Sequence, residues 1–403
     1  MSESEFDRQR RNMKIGLTLS IIFTVLLTAF SGVLIYFEKT GKPLFAGSDS
    51  TNDSLFADAQ STELVDEAAA EAEKKRKRKA AKKAAKNYRD PVDMEKQYPI
   101  IEADGPIDFY PKSFMTVIGT WGFGSYSYIE EDAVNYMSAM NDLAERMKGK
   151  ATVYNMPIPL SSSIKIPDAH WQALSSTQQG VAIGKILDLG SDQVRQVQVY
   201  NTLMQHRLEP VYFHTDHHWT ARGAYYAYAH FCKRAGMKPN KLKSYRKETT
   251  EGYLGYYAAM TKDPDLVNNP DKVTVYYPHA HATITTTKKT TDGGTTWQDD
   301  LVVEPRPDYA AAFIHGDNAF SDIENTEMKN GKNCVIVKDS FGNAFAPFLV
   351  DHYKHVYVAD FRYCEMTIPQ IVEQYDVQDI IFAINITNLR TGSVIGQLVQ
   401  MMR

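Results

Sequence analysis

The stretch CVIVKDSFGNAFAPFL, residues 334–349, contains the change from strand to helix that decides the fold. Cys334 to Val337 form a short apolar run of the kind that fills a strand buried on both faces. Lys338-Asp339-Ser340 interrupts that run, Gly342 permits a tight turn, and residues suited to a helix follow as far as Leu349. Ser340 therefore falls at the carboxyl end of a parallel strand and beside a helix N-terminus, the edge on which open α/β sheets build their sites. Backbone N–H groups at such an edge can stabilise a developing oxyanion. A serine that merely caps the helix is the plain alternative.

Working outward, apolar strand-like runs recur at 115–119, 151–156, 355–359 and 379–384. Helical periodicity lies between several of them, at 130–148, 192–206, 221–235, 343–352 and 367–375. This alternation predicts one three-layer α/β/α domain over residues 98–403, with a mostly parallel sheet covered on both faces. The segment 273–303, with TITTTKKTTDGGTTW, sets β-formers around Asp-Gly-Gly and reads as an inserted hairpin.

The N-terminal quarter differs in kind. Residues 15–37 run for 23 positions without a charged side chain, long enough to cross a ~30 Å hydrocarbon core as a helix. Arg8, Arg10, Arg11 and Lys14 precede the run, which predicts an anchor with residues 1–14 in the cytoplasm and the rest of the chain outside it. A cleaved signal peptide is the alternative. Residues 38–97 read as a charged, partly helical linker, with ten bases packed into residues 74–89. Those bases read as a solvated spacer or as a patch for anionic envelope polymers or lipid headgroups. Net charge is −4 over 403 residues, so nothing overall suggests a nucleic-acid protein. Cys232, Cys334 and Cys364 share no C-x-x-C spacing, which argues against a zinc ribbon or a disulfide framework.

A second chemical element, YFHTDHHWTARGAYYAY, occupies residues 212–228. Thr220 is placed to cap the helix that follows, and Gly236 to end it. A serine hydroxyl becomes a nucleophile only when a base takes its proton and a third group holds that base. Asp216 with His217 or His218 offers both functions, and spacing alone leaves the choice of histidine open.

DHHWTARGAYYAY, KDSFGNAFAPFL and the later HVYVADFRY together resemble the bacterial DHHW family. The Asp-x-His-Trp pattern and the Asp-Ser-Phe turn also resemble alginate-type polysaccharide O-acetyltransferases, whose catalytic domains are SGNH-hydrolase-like. The resemblance implies Ser340 as nucleophile, His218 as general base and Asp216 as its orienting carboxylate, with an acetyl-serine resolved by a sugar hydroxyl. It further implies a polysaccharide acceptor and a membrane-bound O-acyltransferase as the source of acetyl groups, with no cofactor. Asn343 and Asn318 are candidate oxyanion donors, Arg362 a candidate for an acidic sugar, His217 a supporting group and Trp219 a pocket wall. An esterase with the same residues and a non-catalytic envelope or carbohydrate-binding protein remain as rivals. His214, Asp216, His217 and His218 also form a conceivable zinc cluster, but no H-E-x-x-H or Cys partner accompanies them. His279 and His281 form a second H-x-H pair with no assigned role.

Overall fold

The central strands owe their place to their composition. In a computed structural model describing residues 89–102, 105–174, 176–290 and 293–403, every residue of DIIFAIN, Asp379–Asn385, is buried. The 15–37 run and the basic stretch at 74–88 lie outside the described residues, among which no helix is long and apolar enough to cross a membrane.

Thirteen strands are described: β1 Ile107–Tyr110, β2 Met115–Ile118, β3 Trp121–Gly124, β4 Thr152–Ile158, β5 Val194–Gln196, β6 Lys247–Tyr253, β7 Asp271–Tyr276, β8 Ala282–Thr290, β9 Gly293–Asp299, β10 Phe320–Asn325, β11 Asn333–Lys338, β12 His355–Asp360 and β13 Asp379–Asn385. The longer helices are α1 Glu130–Arg146, α2 Gln179–Asp188, α3 Ala221–Ala235, α4 Gly342–Leu349, α5 Ile368–Tyr375 and α6 Gly392–Met402. Eight strands form the main sheet in the order β5-β4-β13-β11-β12-β10-β8-β9. Its first five strands are parallel and its last three joints antiparallel, so the sheet is mixed rather than mostly parallel. The expected insertion is also corrected: β8 and β9 do form a hairpin, but it extends the main sheet, while β7 leaves it to pair with β6. The 115–119 run forms a strand too, but in a separate antiparallel sheet, β1-β2-β3.

Alternation along the strands builds the two flanking layers. Ile336, Ile381 and Ala383 face the core that contains Ala224, Phe231, Phe345 and Leu349 of α3 and α4. Val335, Val337, Ile380, Phe382 and Ile384 face the opposite core, with Tyr136, Met140, Ile371 and Leu398 of α1, α5 and α6. The period of two sends neighbours to opposite faces, and each fully buried Val or Ile contributes roughly 1.5–3 kcal/mol. The chain leaves β11 for β12 on one side, then crosses to β13 on the other. β11 thus stands at the switch point of the parallel part, the position beside which open α/β sheets build their sites. Ser340 is two residues past that end.

Candidate active site

Residues 213–218 are held as a closed loop. Tyr212 bridges Trp219, the Phe213 N–H donates to the His218 carbonyl at 3.2 Å, and the Thr220 N–H donates to the Val211 carbonyl at 3.0 Å. Asp271, at the start of β7, accepts from the N–H groups of His214 and Thr215 at 3.0 and 2.7 Å and from the Thr215 hydroxyl at 2.6 Å. The loop delivers the chain into α3, where the Thr220 hydroxyl accepts from the Gly223 N–H and Gly236 ends the helix at φ 76°, both as the sequence indicates.

Within this loop Asp216 is buried, and its carboxylate has a full set of partners. Oδ1 accepts from the His218 N–H at 2.9 Å and pairs with His218 Nδ1 at 2.5 Å; Oδ2 accepts from the Tyr256 N–H at 2.8 Å. Burial alone would push this carboxyl up, but the imidazoles of His218 and His217 and the hydrogen bonds outweigh it and hold it well below the usual range. Gly255 makes the approach possible: a Cβ there would stand 2.2 Å from the Asp216 Cβ.

His218 turns its other nitrogen toward Ser340, with Nε2 2.7 Å from Oγ. Asp216, His218 and Ser340, 124 positions apart end to end, are therefore one hydrogen-bonded chain. Since Nδ1 faces a carboxylate, which only accepts, Nδ1 carries the proton and Nε2 presents a lone pair to the hydroxyl. The histidine left open by spacing is thus settled in geometry: His218 meets the serine. His217 packs against it, ring centroids 3.9 Å apart, and lines the neighbouring cleft. Burial and the adjacent His218 lower its pKa from 6.5 to about 4, so it is neutral at physiological pH.

The serine turn is built from buried groups. Asp339, fully enclosed, accepts from the N–H groups of Phe341 and Asn385 at 3.0 and 2.7 Å and from the Asn388 amide at 2.7 Å. Trp219 is also wholly enclosed, which corrects its placement as a pocket wall. Its Nε1 donates to the Phe341 carbonyl at 2.9 Å, tying the Asp-His-His loop to the serine turn. Tyr309 stacks on His218 at 4.1 Å and donates to the Ser340 carbonyl at 3.1 Å.

Three further candidates have partners of their own. Asn318 spends its amide on the carbonyls of Ile314, His315 and Gly316, which follow one another at positive φ, so it clamps a left-handed turn. Asn343 is fully buried and donates to Asp317 at 2.9 Å. The Asn318 amide is committed to those carbonyls, while Asn343 commits one of its two amide N–H groups to Asp317. Arg362 grips Asp360 through two bonds of 2.8 and 2.6 Å and reaches Asp317 at 2.8 Å; buried Lys338 joins the same two carboxylates. This network fixes the loop after β12 and neutralises itself, leaving Arg362 no spare charge for an acidic sugar.

Asp216, His217 and His218 place one donor atom each within 4.8 Å of one another, the spacing of a metal site. Both nitrogens of His218 are already engaged, however, which leaves two donors where zinc takes three or four protein ligands. The residues present do not fit a metal. His279 and His281 do not act as a pair: His279 bonds Asp351 and Ser244, whereas His281 offers its carbonyl to Thr326.

A family model described as DHHW protein matches residues 112–359. The chain belongs to the DHHW family. Among solved structures it is similar to a DHHW family protein from Eubacterium siraeum, at 28% identity and a TM-score of 0.66, over 73% of this chain and 98% of that one. Bacillus cereus PatB1 with a sulfonyl adduct matches at 18% identity and TM-score 0.59, over 72% and 99% of the two chains. A second structure of Bacillus cereus PatB1 matches at 19% identity and TM-score 0.56 over the same shares. The PatB1 likeness is one of fold. Among curated proteins none matches the chain. For this member of the family, the DHHW motif divides into a carboxylate and an imidazole in the hydrogen-bonded chain, a neutral second imidazole beside it, and an indole that braces the serine turn.

Sequence reasoning missed Asp339, Asp271, Tyr309 and Gly255. Asp339 stood beside Ser340 in the opening stretch, and a carboxylate next to the end of a buried strand was the available signal. The other three lie 31 to 85 residues away from Ser340, and nothing in their surroundings marks them.

Proposed function

We propose that the protein is a membrane-anchored, extracytoplasmic O-acetyltransferase that passes an acetyl group through Ser340 to a hydroxyl of a cell-envelope or extracellular polysaccharide. The observation that carries this reading is the 2.7 Å contact between His218 Nε2 and Ser340 Oγ, with His218 Nδ1 held on Asp216 at 2.5 Å. Ser340 Oγ attacks the donor's carbonyl carbon while Nε2 takes the hydroxyl proton. The tetrahedral intermediate collapses, the donor's leaving group departs with that proton, and acetyl-Ser340 remains. An acceptor hydroxyl then gives its proton to Nε2 and attacks the ester, which regenerates Ser340. Asp216 stabilises the imidazolium in both halves. The Phe341, Gly342 and Asn343 N–H groups are already bonded within the serine turn, so the Ser340 N–H is assigned to the oxyanion. The uncharged run at 15–37 supports anchoring beside a membrane-bound acyltransferase that delivers acetyl groups.

The test uses the purified full-length protein with 4-nitrophenyl acetate. A burst of 4-nitrophenol and an acetyl adduct on the Ser340 peptide are expected, and Ser340→Ala should reduce turnover by about 10³-fold or more. Unchanged activity in that variant rejects the mechanism. Acetate released to water, with no transfer to any envelope glycan, makes the protein an esterase.

A further inference from the structure

Beside His217 lies a cleft of ≈ 650 Å³, within the range of small-ligand sites. It adjoins the reacting groups on two sides: His217 neighbours His218, and the Tyr256 N–H bonds Asp216. Of its lining side chains only Arg390 carries a fixed charge, since His217 is neutral there and no carboxylate lines it. Arg390 follows Asn388, which bonds Asp339 at the serine turn, so its position is tied to that of Ser340.

The half-buried Arg390 side chain has no counterion among the described residues. Lys338, Arg207 and Arg362 each pair with a carboxylate, but Arg390 makes no ion pair or hydrogen bond among the described residues, and its Nε is buried without a partner. Leaving a charged donor unsatisfied is costly, and such a group is a functional candidate when it faces a cleft. The cleft wall also carries Phe114 and Tyr256, 70% and 47% exposed. Phe114 holds φ at 52°, a conformation that costs a non-glycine residue roughly 1 kcal/mol, while leaving its ring in solvent. Exposed rings at a cleft wall suit the apolar face of a pyranose.

We infer that this cleft is the acceptor subsite and takes an anionic sugar, its carboxylate or phosphate paired with Arg390 and its ring stacked on Phe114 and Tyr256. The inference rests on the acetyltransferase reading but concerns binding, so it is tested without turnover. Calorimetry on the full-length protein would compare trigalacturonate, a phosphate-bearing mannotriose and neutral maltotriose. At least one anionic sugar should bind about 10-fold tighter than the neutral one, the size of a charge-assisted pair. Preference for the carboxylate or for the phosphate identifies which anion is native. Arg390→Gln should remove the preference and Arg390→Lys keep part of it, while Phe114→Ala should weaken all three sugars alike. Equal binding of all three sugars, or a charge preference that survives Arg390→Gln, overturns the inference. The Ser340 burst with 4-nitrophenyl acetate reports separately on the chemistry, so a burst without charge preference rejects the subsite alone.

Discussion

Asp216–His218–Ser340 has a counterpart elsewhere in the molecule. Near the ends of β7 and α4, His279 Nδ1 lies 2.8 Å from Asp351 and His279 Nε2 lies 3.1 Å from the Ser244 hydroxyl, nearly the same bond pattern. The difference is in what else each group touches. His279 Nε2 is equally close, 3.1 Å, to the Ser244 carbonyl, which can only accept. That carbonyl competes with the hydroxyl for Nε2, and the Asn240 amide stands 3.3 Å from Nδ1 beside Asp351, so neither nitrogen is reserved for a single partner. The Ser244 hydroxyl itself donates to the Lys241 carbonyl at 2.7 Å. Asp351 also receives the N–H groups of His279 and Ala280 and the Asn240 amide, which is the work of a loop clamp. The His279 side chain is 40% exposed, that of His218 10%. A serine, a histidine and an aspartate at bonding distance are thus not equivalent in the two places: at Ser340 the imidazole is enclosed and its Nε2 faces the hydroxyl, whereas at Ser244 it is exposed and shared with a carbonyl.

The sharpest way to break this contrast is to neutralise each carboxylate. Asp216→Asn should cost about 10³-fold or more in the rate of Ser340 acetylation, because the imidazole loses its required tautomer. Asp351→Asn should leave that rate within about twofold but lower stability by about 1 kcal/mol in denaturant unfolding, since the N–H groups of His279 and Ala280 lose an anionic acceptor. Equal losses of activity in the two variants would erase the distinction. A smaller effect is expected at Gly255. Gly255→Ala places a methyl group against Asp216 and should slow acetylation about 10–100-fold through displacement of the carboxylate, with little change in secondary structure by circular dichroism.

The smallest effect separates His217 from His218. The folded pKa of His217 is lowered from 6.5 to about 4, so between those values the unfolded chain binds more protons. The stability that comes from keeping it neutral is present above pH 6.5 and is lost as pH falls through that window. The melting temperature should therefore fall on acidification from pH 6.5 to 4, and His217→Gln should flatten the slope. Asp216, whose pKa is depressed, contributes above its ordinary value of 3.8 and loses its share only in stronger acid, so the two groups titrate apart.

Much of the parallel half of the fold was legible because it depends on local pattern. Runs such as CVIV and IIFAI are apolar on every residue, as suits a strand of a sheet covered on both faces. Thr220 and Gly236 announced α3 through cap chemistry that acts within one turn. Strand β5, hidden in the helical-looking stretch 192–206, and β10, whose FSDIEN alternates polar with apolar residues, were missed. Their pairing partners come from distant sequence, and three residues or a half-polar strand leave little periodicity to detect.

The candidate site divides along the same line. The candidate serine, histidine pair and carboxylate, and their order along the chain, were legible in the sequence. Which histidine meets Ser340, and that Trp219, Asn318 and Arg362 are spent on holding loops, was decided only by tertiary structure. A side chain's chemistry is fixed by its type, but its availability depends on which donors and acceptors the fold brings within 3 Å. Those partners, Tyr256 for Asp216, Phe341 for Trp219 and Asp317 for Asn343 and Arg362, lie between 26 and 122 residues away except for the near neighbours of each loop.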